Sequence, residues 1–258
     1  MLAPSDQTWP SLLWLVRHGE SAGNVAREAA ESSGLGLIDI AQRDMDVPLS
    51  PLGERQARAL GKWFARKPVV ERPTVVLSSP YVRAVQTVAL VLEEAKIDVP
   101  STIHLVDERL REKEFGLLDR LTTAGIRQKF PEQAEARARV GKFYYRPPGG
   151  ESWCDVILRL RSVLDHIQLQ YRRERLLVVA HQVIVLCFRY LLEHMTEQEV
   201  LAVDREKDVA NCSVTSYEFV RAEDGRGDMA LSLYNTVAPL HVAGETVTTE
   251  PDAVVAPR

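Results

Sequence analysis

The stretch Leu12-Leu13-Trp14-Leu15-Val16-Arg17-His18-Gly19-Glu20-Ser21 decides how the rest of the chain is read. Five apolar residues run directly into an Arg-His-Gly turn. A short apolar run closed by a glycine turn predicts a buried strand of a parallel sheet, at about 11–17. The polar cluster then lies past the carboxyl end of that strand, where α/β sheets hold their ligands. An arginine and a histidine in such a place are costly to desolvate without a partner. A phosphate suits them, because a guanidinium fork meets two of its oxygens at once. Ser21 and Asn24 follow within about a turn and are candidates to hydrogen-bond the same anion. On these residues alone, a helix-capping turn with an ordinary core histidine competes with that reading.

Arg175-Leu176-Leu177-Val178-Val179-Ala180-His181-Gln182 repeats the design: an apolar strand again ends in a histidine. Two strand-end histidines in halves of the chain separated by helices predict one shared pocket. Arg83 joins them from the first turn of a helix that opens at Ser79-Pro80 and runs to about 95. Free backbone N–H groups there favour anions, and a cation is mildly out of place unless an anion is near.

Between these points the chain alternates. Residues 25–48 are long and mixed, contain Gly34, Gly36 and Pro48, and show no clean period, which predicts a loop or short-helix excursion near the pocket. Ser50-Pro51 opens a helix whose Leu52, Ala59, Leu60, Trp63 and Phe64 share a face. Strands follow at 75–78 and 103–106, then a charged loop over 108–116 and one or two polar helices over 121–140. Pro147-Pro148-Gly149-Gly150 breaks the chain. A well-patterned helix then places Trp153, Val156, Ile157, Leu160, Val163, Leu164 and Ile167 on one stripe. An apolar helix from Ile184 to Leu192 and a short amphipathic one over 196–203 come after the second histidine strand. Val214–Phe219 and Met229–Tyr234 read as a terminal hairpin around a Glu223–Gly227 turn. Residues 1–10 and 239–258 read as tails. This alternation predicts a single α/β domain over 11–238, a three-layer α/β/α sandwich with a mostly parallel sheet.

Composition narrows the function. The 258 residues are 45% hydrophobic and 26% charged, with a formal charge of −4 and no Lys/Arg-rich run, so neither nucleic acid nor a membrane surface is an expected partner. Three scattered cysteines without CxxC spacing argue against a disulfide framework and against zinc. No secretory leader and no membrane-length apolar run is evident, and a cytoplasmic enzyme is the expectation.

As chemistry, neutral His18 is a competent nucleophile toward phosphorus. Phosphoryl transfer needs little beyond positioning and charge neutralisation, which Arg17, Arg83 and His181 can supply without a metal or other cofactor. The leaving oxygen needs a proton, and Glu112 is the favoured donor, with Glu108 and Glu114 as alternatives. Such a carboxyl serves at neutral pH only if burial or the bound phosphate keeps it protonated. Gln182 either orients substrate or caps its helix. Lys142 and Tyr145, with Tyr144 and Arg146, either read the leaving group or form a solvated aromatic-basic loop.

These motifs together resemble the histidine phosphatase superfamily, with its phosphoglycerate mutase-like fold. The resemblance rests on Leu15-Val16-Arg17-His18-Gly19-Glu20-Ser21 with Asn24, on Ser79 to Thr87, on Leu110-Arg111-Glu112 with Phe115-Gly116, on Gly149-Gly150-Glu151-Ser152, and on Val179-Ala180-His181. It implies His18 as nucleophile, Arg17, Arg83 and His181 as phosphate ligands, and Glu112 as proton donor. It therefore implies a phosphomonoesterase acting on a small phosphorylated metabolite through a phosphohistidine. The alternatives are a phosphoglycerate-type mutase and a non-catalytic phospholigand-binding protein on the same fold. Gln182, where mutases typically carry a glycine, and the 142–152 segment are most similar to the fructose-2,6-bisphosphatase branch. Two departures set the chain apart from it: Leu186 stands where that branch has an arginine gripping the sugar phosphate, and Trp153 stands where it has a pocket tyrosine. The long 25–48 segment is expected to cover the pocket or to form an interface, such as that of a homodimer.

Overall fold

The computed structural model describes residues 7–97, 103–221 and 227–249. Its centre is one six-stranded sheet in the order β3-β2-β4-β1-β5-β6, built from β1 (Leu12–Arg17), β2 (Val75–Ser78), β3 (Ile103–Val106), β4 (Arg175–Ala180), β5 (Val214–Arg221) and β6 (Gly227–Thr236). The first four of these are mutually parallel, and β5 and β6 form an antiparallel hairpin beside β1. The sheet is thus mixed with a parallel majority, and the mixed α/β class expected from the alternation is the one seen.

Alternate side chains of the parallel strands feed two apolar layers, as the two-residue period of a strand requires. Leu13, Leu15, Val75, Leu77, Leu176 and Val178 face one layer, which is closed by α6 (Trp153–Gln170) and α7 (Gln182–Leu192). Trp14, Val16, Val76, Leu177 and Val179 face the other, closed by α2 (Pro51–Ala65) and α3 (Val82–Ala95). This is why both histidine strands read as uninterrupted apolar runs: neither face meets water. The seven stripe residues of α6 are all buried. Each such side chain contributes about 1.5–3 kcal/mol of burial. Residues 121–140 form α4 (Thr123–Lys129) and α5 (Pro131–Val140), divided by Pro131 as expected. Cys187 and Cys212 are buried and Cys154 is half-buried, none in a disulfide.

Three segments differ from their reading. Within 25–48, the chain first forms α1 (Ala22–Ser32), capped by Ser21, and only then an irregular strap over 33–49. Ala30 is the one buried residue of α1, so the helix carries no apolar stripe to betray it. Trp9, placed in the N-terminal tail, packs into the main core, and its carbonyl accepts from Arg173 N–H at 3.0 Å. Residues 1–6 of that tail lie outside the described residues. The C-terminal tail is also only partly a tail. After α8 (Glu197–Glu206), helix α9 (Ala238–Ala243) buries Leu240 completely, and Val247 packs against the cluster that holds Leu49, Cys212 and Leu240. Residues 250–258, and 223–226 of the expected hairpin turn, lie outside the described residues. No described helix is long and apolar enough to cross a membrane.

Candidate active site

Strands β1 and β4 lie side by side in register, with Arg17 opposite Ala180, so His18 and His181 leave the sheet as neighbours. The N–H of His18 donates to Ala180 O at 2.9 Å, locking the two strand ends together. Both imidazoles are buried, and their ring centroids are 5.0 Å apart in an edge-to-face arrangement.

The His18 turn is held from behind. Gly19 N–H donates to Thr87 Oγ1 at 3.1 Å, and Glu20 N–H donates to Gln56 Oε1 at 2.9 Å. A Cβ on Gly19 would stand 2.5 Å from Gly53 O, so the turn's close approach to α2 requires glycine. Asn211 Nδ2 donates to His18 O at 3.0 Å. Asn211 is in turn tied to Thr248, whose Oγ1 donates to its Oδ1 at 3.0 Å and whose carbonyl accepts its N–H at 2.9 Å. Gln56 Nε2 reaches Thr246 O and Thr248 Oγ1, each at 2.9 Å. The segment after α9 therefore closes the back of the turn.

These contacts fix the chemistry of His18. Its Nδ1 lies 2.7 Å from Gly19 O, an acceptor only, so Nδ1 carries the proton. Nε2 then presents its lone pair, which accepts from Arg83 Nε–H at 3.2 Å. Burial first, then the nearby Arg83 and Arg17 charges, hold His18 well below its usual pKa, so it is neutral around pH 7. His181 is held well below its usual pKa by burial and by Arg83, His18 and Arg17 in turn. Its Nε2 lies 2.7 Å from Ser79 Oγ. Ser79 Oγ already accepts Tyr81 N–H at 3.3 Å, which suits Ser79 as donor to Nε2 and leaves the proton on Nδ1. That Nδ1 has no hydrogen-bond partner and lies 4.0 Å from Glu112 Oε2.

The two cations and the acid come from three places. Arg17 is buried at the end of β1, and its Nη1 donates to Val209 O at 2.5 Å and to Gln182 Oε1 at 3.1 Å. Arg83 enters from the first turn of α3. Thr87 Oγ1 returns to Arg83 O at 2.7 Å, one helical turn on. Glu112 sits in a loop fastened to α6 by Glu151, which bonds Arg111 at 2.6 Å and Arg159 at 3.0 Å. Arg159 also donates to Glu112 O at 3.2 Å.

A cavity of about 100 Å³ opens over these groups, with Arg17, His18, Arg83, Glu112 and Gln182 in its wall. The strap over 33–49 supplies Ile38, Ile40, Gln42, Asp44 and Val47 to its mouth, so the segment is near the pocket as expected. Among the described residues no cluster of His, Cys, Asp or Glu could hold a metal ion.

Not every expected site residue turns a polar group into the cavity. Ser21 and Asn24 line the cavity, but they cap α1 against each other: Ser21 Oγ donates to Asn24 Oδ1 at 3.0 Å and accepts Asn24 N–H at 3.1 Å. Lys142 and Tyr145 lie outside the cavity wall. Lys142 Nζ is bound to Asp204 at 2.7 Å, and Tyr145 packs with Leu118, Leu121 and Ile126 while its hydroxyl donates to Gln133 at 2.9 Å. Both lie just before the Pro147-Pro148 break, Lys142 held by its ion pair and Tyr145 by packing. Leu186 and Trp153 point into the main core, 0% and 1% exposed. Ser79, Asp44, Glu151 and Arg159 were not anticipated in these roles. Ser79 follows strand β2 as His18 and His181 follow theirs, and that shared position was the available signal.

The chain is 32% identical over 179 residues to the 6-phosphofructo-2-kinase/fructose-2,6-bisphosphatase of Caenorhabditis elegans, covering 69% of this chain and 33% of that one. It spans well under half the length of such bisphosphatase relatives. It is 32% identical over 198 residues to a 2,3-bisphosphoglycerate-dependent phosphoglycerate mutase of Gloeobacter violaceus, covering 76% of this chain and 82% of the mutase. The solved structure of Bacillus stearothermophilus YhfR superimposes with a TM-score of 0.68 at 26% identity, over 89% of this chain and 98% of YhfR. Residues 13–225 match the family described as histidine phosphatase superfamily (branch 1), and the chain belongs to that superfamily.

Proposed function

We infer that this chain is a phosphomonoesterase for a small phosphorylated metabolite, working through a phosphohistidine at His18. One observation carries the reading: the Nδ1–H of His18 is tied to Gly19 O, so the Nε2 lone pair is turned into a cavity walled by Arg17 and Arg83. In the proposed cycle, Nε2 attacks phosphorus while the two guanidiniums neutralise the equatorial oxygens. His181 adds a donor through Nδ1. The P–O bond to the alcohol breaks, and the leaving oxygen takes its proton from Glu112. The Glu112 carboxylate then accepts a proton from water, whose oxygen attacks phosphorus, releasing inorganic phosphate and restoring neutral His18. Burial of Leu186 and Trp153 supports a substrate other than fructose 2,6-bisphosphate, because leucine has no polar group and the Trp153 indole is buried in the core, away from the cavity wall.

The mutase relative favours one other reading, transfer of the phosphoryl group back to a retained phosphoglycerate. Phosphate release from sugar phosphates, phosphoglycerates, nucleotides and p-nitrophenyl phosphate, in EDTA and beside His18→Ala, tests both. Release lost in His18→Ala, with acid-labile label on wild-type His18, supports the phosphatase. Interconversion of phosphoglycerates without net phosphate release supports the mutase. Neither activity from folded protein overturns both readings.

A further inference from the structure

We propose that Asp44 is a built-in competitor of the substrate phosphate, holding Arg83 until an anion displaces it. This inference rests on the phosphate reading of the site. All three guanidinium nitrogens of Arg83 are engaged by protein groups. Nε donates to His18 Nε2 at 3.2 Å, Nη1 meets Asp44 O at 2.6 Å and Asp44 Oδ1 at 3.0 Å, and Nη2 donates to Asp44 Oδ2 at 3.2 Å. A carboxylate facing a guanidinium with both oxygens offers the geometry a phosphate offers. In this state the fork is spent on Asp44, and the lone pair that must attack phosphorus is capped by the same arginine. To serve the reaction, Arg83 must leave both partners together.

Asp44 does not depend on Arg83 for its place. The strap that carries it is fixed to the other wall of the pocket: Ile38 N–H donates to Arg120 O at 2.8 Å, Thr122 Oγ1 donates to Leu35 O at 2.7 Å, and Arg120 Nη2 donates to Gln42 O at 2.8 Å. Arg120 adopts a left-handed backbone (φ 59°) to do so. The Asp44 side chain is 45% exposed while that of Arg83 is 7% exposed, so the carboxylate can swing into solvent when a phosphate takes its place. The same competition expels the product phosphate, because Asp44 is waiting to reclaim the arginine.

The test is calorimetric titration of inorganic phosphate into wild type, Asp44→Asn, Arg83→Ala and the double variant, with Asp44→Ala as a second probe and melting curves to confirm folding. Asp44→Asn and Asp44→Ala are expected to tighten phosphate about three- to tenfold in the presence of Arg83 and to change nothing in its absence. KM for p-nitrophenyl phosphate is expected to fall by the same factor, with no rise in kcat. Unchanged or weaker phosphate binding in the Asp44 variants would overturn the proposal. So would equal tightening with and without Arg83, which is simple charge repulsion. If wild type binds no phosphate and Arg83→Ala alters nothing, the phosphate reading itself fails and takes this inference with it.

Discussion

The imidazoles of His18 and His181 meet edge to face at 5.0 Å, each at the carboxyl end of one of two paired strands, and both are buried as neutral rings. This arrangement makes stability depend on pH. Both pKa values are lowered in the folded state, so below the usual histidine value near 6.5 the unfolded chain binds more protons than the folded one. Stability is therefore complete above about pH 7 and declines as pH falls from 6.5 toward the folded values. Melting temperature measured from pH 8 to 5 should show that decline. His181→Gln should flatten it, and an unchanged slope in that variant would contradict the assignment.

The same lowering sets the acid side of the activity profile. His18 loses its nucleophilic lone pair only when protonated, so kcat/KM is expected to hold well below pH 6.5 before it falls. A half-maximal point at or above 6.5 would mean that another group controls that limb.

Arg17 donates to a backbone carbonyl and to Gln182 while facing the cavity, a planar fork that lysine cannot reproduce. Arg17→Lys is expected to lower kcat/KM about 10²–10³-fold with little change in melting temperature. Steady-state kinetics with p-nitrophenyl phosphate check this.

Glu112 lies 4.0 Å from His181 on a loop that Glu151 braces to α6. Glu112→Gln is expected to cost about 10²–10⁴-fold on alkyl phosphates, where the leaving alkoxide needs a proton. Much less should be lost on p-nitrophenyl phosphate, whose leaving group departs as the anion. Equal losses on both would remove Glu112 from the donor role.

Gln56 is fully buried and serves three partners, Glu20 N–H, Thr246 O and Thr248 Oγ1. Gln56→Leu strands the first two, at about 1–3 kcal/mol for each group left unsatisfied. Urea unfolding should show a lower midpoint, and activity should fall with it as the His18 turn loosens.

Particular residues show how much could be read in advance. Strands buried on both faces announce themselves as apolar runs, so the positions of His18 and His181 followed from Leu12–Val16 and Leu176–Ala180. The α6 stripe repeated at helical spacing and all seven of its residues are buried. Helix α1 falls in a stretch legible only as a loop or short helix, because it rests on a Ser21–Asn24 cap rather than on an apolar face. Gln56 and Thr248 carry no such signal for a different reason. Their partners are distant in the chain, and a buried amide has no local pattern. Lys142 and Tyr145 lie near the motifs in sequence but are turned toward Asp204 and toward Leu118, Leu121 and Ile126, because proximity along the chain does not fix which way a side chain faces.

The tie from Asn211 and Thr248 to the His18 turn has a consequence for synthesis. Gln56 and Thr248 are 192 residues apart, and both are needed to back the turn. A chain still emerging from the ribosome can pair β1 with β4 and bring the two histidines together long before Thr248 has been made. The two histidine strands can thus pair before their brace exists, and the His18 turn is completed only when the segment after the last helix folds back behind it.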